Sequence, residues 1–169
     1  MRLTTVSLIC PDPHFYDPYE TVRWILEIQS KFEFPHEFTE NGEEFSVINE
    51  ELIGEIDNET ADDKVGLTMV LTALGNVTNP SIVKIQTNEK LKVTKTLAYG
   101  DSVIFTTTIG SKNAYFVSNG VTEEINHLLT DDSVFFQLTR GVNDFGVDAD
   151  SGKSNLSARI SCRYKYLRA

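Results

Sequence analysis

The chain is poor in the residues that give small proteins an obvious chemistry. Two cysteines, Cys10 and Cys162, are too few for a secreted disulfide framework in 169 residues. Both sit in apolar strand-like runs and are expected as buried free thiols, since a bridge would require the first and last strands to be neighbours. His14, His36 and His127 are widely spaced, and none falls in a metal-ligand pattern such as two histidines on one helix face. There is no Gly-x-Ser-x-Gly elbow and no phosphate-cradling glycine loop. No stretch approaches the ~18 apolar residues of a membrane helix. Met1-Arg2-Leu3-Thr4-Thr5 leads into a strand-like run without the apolar centre of a signal peptide, so a soluble chain is expected.

Residual candidates for chemistry are weak. Asp148-Ala149-Asp150-Ser151-Gly152 opens like a calcium loop but lacks the downstream bidentate glutamate, and a turn rich in Asp, Ser and Gly explains it better. The doublets Glu43-Glu44, Glu50-Glu51, Glu123-Glu124 and Asp131-Asp132 make poor glycosidase pairs, because neighbours on a strand point to opposite faces. No catalytic, cofactor-binding or metal-ligating residue is therefore assigned. Trp24, Tyr19 and Tyr115 are the aromatic candidates for stacking on carbohydrate, with core packing the favoured reading for Trp24.

What is present is acidic charge and alternation. The formal charge is −10, and residues 1–63 hold 16 acids against Arg2, Arg23 and Lys31, which argues against nucleic-acid binding through this half. The bases after residue 152 (Lys153, Arg159, Arg163, Lys165 and Arg168) fall mostly on one strand's polar face, and a solvated face is expected there. Ser133–Tyr166 carries the clearest pattern. Leu156, Ala158, Ile160, Cys162, Tyr164 and Tyr166 alternate with polar residues, and Val134–Leu138 followed by a bend at Gly141 supplies the other arm, so a closing β-hairpin is expected.

Earlier segments repeat the pattern. Val6–Cys10 reads as a strand, the region from Glu20 to Phe34 fits a strand or a short helix with the strand favoured, and one or two strands with acidic outer faces are expected within residues 45–56. Leu67–Ala73, Ile82–Ile85, Leu91–Leu97, Val103–Ile109 and Ala114–Val117 follow, with Asn119-Gly120 as a strong hairpin turn. Thr122 is placed to cap one helical turn before Leu129. Regularly spaced strands without a long amphipathic helix predict an all-β antiparallel sandwich with at most one or two short helices.

Several phrases in this order resemble the C-terminal domain of siphophage distal tail proteins. They are Leu8-Ile9-Cys10-Pro11-Asp12-Pro13-His14-Phe15-Tyr16-Asp17, Gly75-Asn76-Val77-Thr78-Asn79-Pro80-Ser81-Ile82 and Leu97-Ala98-Tyr99-Gly100-Asp101-Ser102-Val103-Ile104. Ser133-Val134-Phe135-Phe136-Gln137-Leu138-Thr139-Arg140-Gly141-Val142-Asn143 and the closing Arg163-Tyr164-Lys165-Tyr166 complete the series. The resemblance implies a galectin-like β-sandwich and a non-enzymatic, cofactor-free role in the tail-tip baseplate of a phage or prophage. It also implies assembly in the bacterial host cytoplasm and a homo-hexameric ring that joins tail tube to tip. Receptor-binding proteins, fibres or a tail-associated lysin would attach to that ring. On this reading residues 1–18 are a strand and interdomain linker, with Pro11-Asp12-Pro13 marking the link, and residues 19–169 are the sandwich. The ring-forming N-terminal domain would precede them. A module that binds host cell-wall glycans on the same fold is the competing expectation.

Overall fold

A computed structural model describes residues 14–25, 27–30, 46–49, 53–59 and 64–166. The expected strand at Val6–Cys10, the Pro11-Asp12-Pro13 link, Cys10, His36 and the doublets Glu43-Glu44 and Glu50-Glu51 lie outside the described residues. In chain order the first strands are β1 (Phe15–Tyr16), β2 (Thr21–Ile25), β3 (Glu27–Ser30), β4 (Ser46–Asn49), β5 (Ile53–Asp57), β6 (Leu67–Ala73), β7 (Val77–Thr78) and β8 (Ser81–Lys84). After them come β9 (Glu89–Lys92), β10 (Thr96–Leu97), β11 (Ser102–Thr106), β12 (Asn113–Ser118), β13 (Val121–Glu124), β14 (Val142–Asp148), β15 (Leu156–Cys162) and β16 (Lys165–Tyr166). The helical content of the described residues is two 3-10 turns, Asn126–Leu128 and Lys153–Asn155.

β6 shows why the chain folds this way. Leu67, Met69, Leu71 and Ala73 are buried, while Thr68, Val70 and Thr72 face outward, so a period of two sorts core from surface. Antiparallel registers with β11 and β15 place β6 inside a sheet ordered β13-β12-β11-β6-β15-β2. A second sheet, β5-β14-β8-β9, supplies Ile56, Ile82, Leu91, Phe145 and Val147 to the same core. The all-β sandwich is thus what the strand spacing predicts. Burying each large aliphatic side chain contributes about 1.5–3 kcal/mol, and this shared core is the main source of cohesion between the sheets.

Sheet membership departs from expectation. β14 and β15 are both strands but do not pair: β14 lies between β5 and β8, and β15 between β6 and β2. Alternation shows that each arm has a buried face without showing against which sheet. The connection is pinned elsewhere, because Leu74 N donates to Asn155 O and Thr78 N to Ser151 O. The expected hairpin is therefore a crossover between sheets. Similarly, Leu91–Leu97 is split between β9 in the second sheet and β10, which pairs with β7. Thr122 caps no helix, because Asn119 and Gly120, with φ of 50° and 78°, form a two-residue turn that keeps β12 and β13 paired through Glu124. The strands expected between Glu20 and Phe34 and near residues 45–56 are found as β2, β3, β4 and β5, with Glu55 and Asp57 exposed on β5.

The first arm of the expected hairpin is not a ladder strand. Residues 134–137 run without regular pairing, and Leu138 makes a single bridge to Val65. Their place is set by polar contacts. Val134 N donates to Lys90 O, and Ser133 Oγ both accepts from Lys92 N and donates to Lys92 O, which covers the edge of β9. Phe136 and Leu138 point into the core, where the Phe136 ring stacks on Phe145 at 5.9 Å. Chain direction then changes at Gly141, whose φ of 87° suits glycine.

Asn143 fixes that bend. Its Oδ1 accepts from Thr139 N at 2.9 Å and Thr139 Oγ1 at 3.0 Å, and its Nδ2 donates to Thr139 O at 2.8 Å and Gly141 O at 2.7 Å. The amide is fully buried and its donor and acceptor capacity is filled. Asn143→Ala should lower unfolding free energy by about 3 kcal/mol, since Thr139 N loses its acceptor, at roughly 1–3 kcal/mol, and Thr139 Oγ1, Thr139 O and Gly141 O each lose one of two hydrogen bonds. Urea denaturation measures it, and Asn143→Asp should also destabilise because a carboxylate cannot donate to two carbonyls.

At the covered edge Lys90 sits 2.7 Å from Asp132, and this contact together with the Thr130 hydroxyl brings the Asp132 carboxyl down to about 2 from 3.8. Asp150 is held low in the same direction by Lys92 and Asn79. The sign follows from linkage: carboxylates depressed in the fold stabilise it above pH ~4, and that contribution is lost as pH falls toward ~2. The melting temperature should accordingly fall less steeply between pH 4 and 2 in Asp132→Asn than in the parent chain.

Candidate functional site

The outward rows of the six-stranded sheet hold two of the three aromatic candidates. Trp24 on β2 is opposite Arg159, and the row continues through Val70 and Ile104 to Tyr115 and Glu124. Trp24 is 62% exposed, so core packing is corrected: β2 is an edge strand and its inward residue is Ile25. The Arg159 guanidinium lies 5.9 Å from the indole centroid, a cation–π contact that holds the ring against the sheet. Tyr115 is half-buried and its hydroxyl accepts from Asn113 Nδ2 at 3.0 Å.

These residues share a face but not a site. Trp24 and Tyr115 stand four strand spacings apart, about 19 Å at ~4.8 Å per strand. Between them lie Val70 and Ile104, flanked by Thr68, Thr106 and Ser161 on one side and Thr72 and Ser102 on the other. The face is hydroxyl-rich, with Arg159 and Glu124 as the charges of this row. Tyr19, 81% exposed, belongs instead to the turn before β2, where its N–H donates to Asp17 Oδ1.

A concave feature lies at the end of the sandwich where β1 pairs with β16. It is a cleft of about 360 Å³ between that pair and the chain segments at Gly66 and Thr108. Gly66 makes the approach possible, since a Cβ there would sit 2.5 Å from Thr108 Cα. Cys162 lines the cleft as a buried free thiol, in line with expectation for this cysteine. Burial, reinforced by the Glu20 charge, pushes the thiol up to about 11 despite Arg23. It is thus protonated and unreactive at neutral pH.

Two lysines escaped the sequence reading. Lys84 is 1% exposed between the sheets, donating to Gln137 O at 2.9 Å and Thr139 Oγ1 at 3.1 Å. Burial lowers its amine below 10.5, opposed by Glu89, and its enclosure keeps it from any external substrate. The available signal was its phase, which matches that of Ile82. Lys165 was expected on a solvated face but is 9% exposed. The ladder breaks at Arg163 and Tyr164, so Cys162 and Lys165 both point inward, at odd spacing, and the alternation changes phase.

A family model described as the siphovirus-type tail component, C-terminal domain, matches residues 60–165. The chain belongs to that family. The match runs from before β6 to Lys165 in β16 and takes in the Asn143-centred bend and every strand of the two large sheets except the edge strands β2 and β5. No curated protein and no solved structure matches the chain. Membership makes the chain a component of a siphovirus-type virion tail, a structural role.

Thiol labelling tests the geometry at the cleft. In a Cys10→Ser background Cys162 should resist an aromatic disulfide reagent at pH 8 in the native state, react on denaturation, and label natively only as pH approaches ~11, where the thiolate forms.

Proposed function

We propose that the chain is a non-enzymatic hub or adaptor in a tail-tip baseplate, holding receptor-binding proteins, fibres or a tail-associated lysin to the tail tube. The match to the tail component family across the sandwich carries this reading. The polar groups at the bend support it: Asn143, Thr139 and Lys84 are engaged in holding the chain's own turn rather than aimed at a ligand. We further propose residues 19–169 as the sandwich domain and residues 1–18 as its linker to a ring-forming N-terminal domain, with the whole protein a homo-hexamer assembled in the host cytoplasm. Co-expression with the tail proteins encoded beside it should yield a stable complex on size exclusion. Monomers alone, from a chain carrying any upstream domain, would contradict the hub.

A second reading rests on Trp24, whose exposure at a sheet edge beside Arg159 suits stacking on a sugar ring, with Tyr19 and Tyr115 as further contacts. Glycan-array binding to host cell-wall polysaccharide that drops at least tenfold in Trp24→Ala would support it. Binding that survives the substitution, or no binding at all, would remove it.

A further inference from the structure

We propose that the cleft between the β1–β16 pair and Gly66–Thr108 binds a single anionic monosaccharide unit, a hexose carrying a carboxylate or phosphate. The central observation is Lys165. Its side chain is nine-tenths buried in the cleft wall, yet among the described residues its contact is with the Tyr16 ring at 6.0 Å and not with any carboxylate or carbonyl. The stem is buried while the amine still opens to the cleft, so an anion entering there would meet a cation that no carboxylate of the described residues neutralises. Exposed Arg163 at the rim adds a second positive charge, while Glu20 on the same rim can accept from sugar hydroxyls.

The remaining walls favour a sugar over an acidic side chain. Tyr16 offers a partly exposed ring for stacking, and Thr68, Thr108 and Ser161 bring three hydroxyls to the lining. The Ser161 hydroxyl donates to Thr68 O at 3.4 Å and keeps its acceptor sites, and the Thr68 and Thr108 hydroxyls make no hydrogen bond to a described residue. An acidic peptide side chain would satisfy Lys165 alone and leave these hydroxyls unused. The cleft, at about 360 Å³, also falls at the small end of ligand-site volumes, ~300–1,000 Å³. This site is distinct from Trp24 and does not depend on the hub reading.

The test is NMR titration of the isotope-labelled chain with glucuronate, glucose 6-phosphate, glucose and acetate. The expected result is saturable shifts at the Gly66, Thr108 and Lys165 amides with glucuronate or glucose 6-phosphate, and which of the two binds tells carboxylate from phosphate. Glucose and acetate should bind at least tenfold more weakly. Lys165→Met should weaken the anionic sugar at least tenfold, and Arg163→Gln, at an exposed position, should weaken it less. Glucose binding as tightly would overturn the need for charge, and acetate binding as tightly would overturn the sugar. Shifts confined to Trp24, or none in the parent chain, would also overturn the proposal, and these titrations need no variant to fold.

Discussion

The side-chain amide of Asn143 closes the bend on which the sandwich depends. From Leu138, which bridges to Val65 beside the first sheet, the chain must turn into β14 in the second. The turn itself is partly exposed, but the buried residues at its two ends, Leu138 and Asn143, need partners for their polar groups. Asn143 ligates Thr139 twice through its carbonyl oxygen and ties down Thr139 O and Gly141 O through its nitrogen, while Lys84 binds Gln137 O and Thr139 Oγ1 from β8. Asn58 N reaches Gly141 O from the end of β5. Three strands of the second sheet therefore converge on one loop.

This arrangement clarifies what was readable in the chain. β6 could be placed because its faces are uniform, with aliphatic residues inward and threonine or valine outward. The bend at Gly141 was marked by glycine itself. Sheet membership was hidden, since β14 and β15 have the same period and belong to different sheets. Lys84 was hidden by its charge, although its phase with Ile82 put it inside. Trp24 was misjudged because its size suggests burial, whereas an edge strand leaves its outward side open. Lys165 went unseen because a two-residue break reversed the alternation inherited from Arg159.

The same features constrain function. Asn143 and Lys84 spend their polar chemistry on holding the bend, and the outer face of the six-stranded sheet is hydroxyl-rich. That is the surface of a scaffold, in keeping with membership of a tail component family. Two features break the uniformity: Trp24 beside Arg159 at one edge, and the cleft with Lys165 at one end. They lie on different parts of the sandwich and were unequally legible, because an aromatic announces itself in a sequence and a phase shift does not.

The loop from residue 134 to Asn143 is held as part of the core and not as a surface connection. Native-state hydrogen exchange tests this directly. The amides of Val65, Leu138 and Thr139, each bonded inside the sandwich, should exchange only through global unfolding, with the same opening free energy as Met69 and Leu71 in β6. Exchange at the low opening energy of the exposed β12–β13 turn would contradict it.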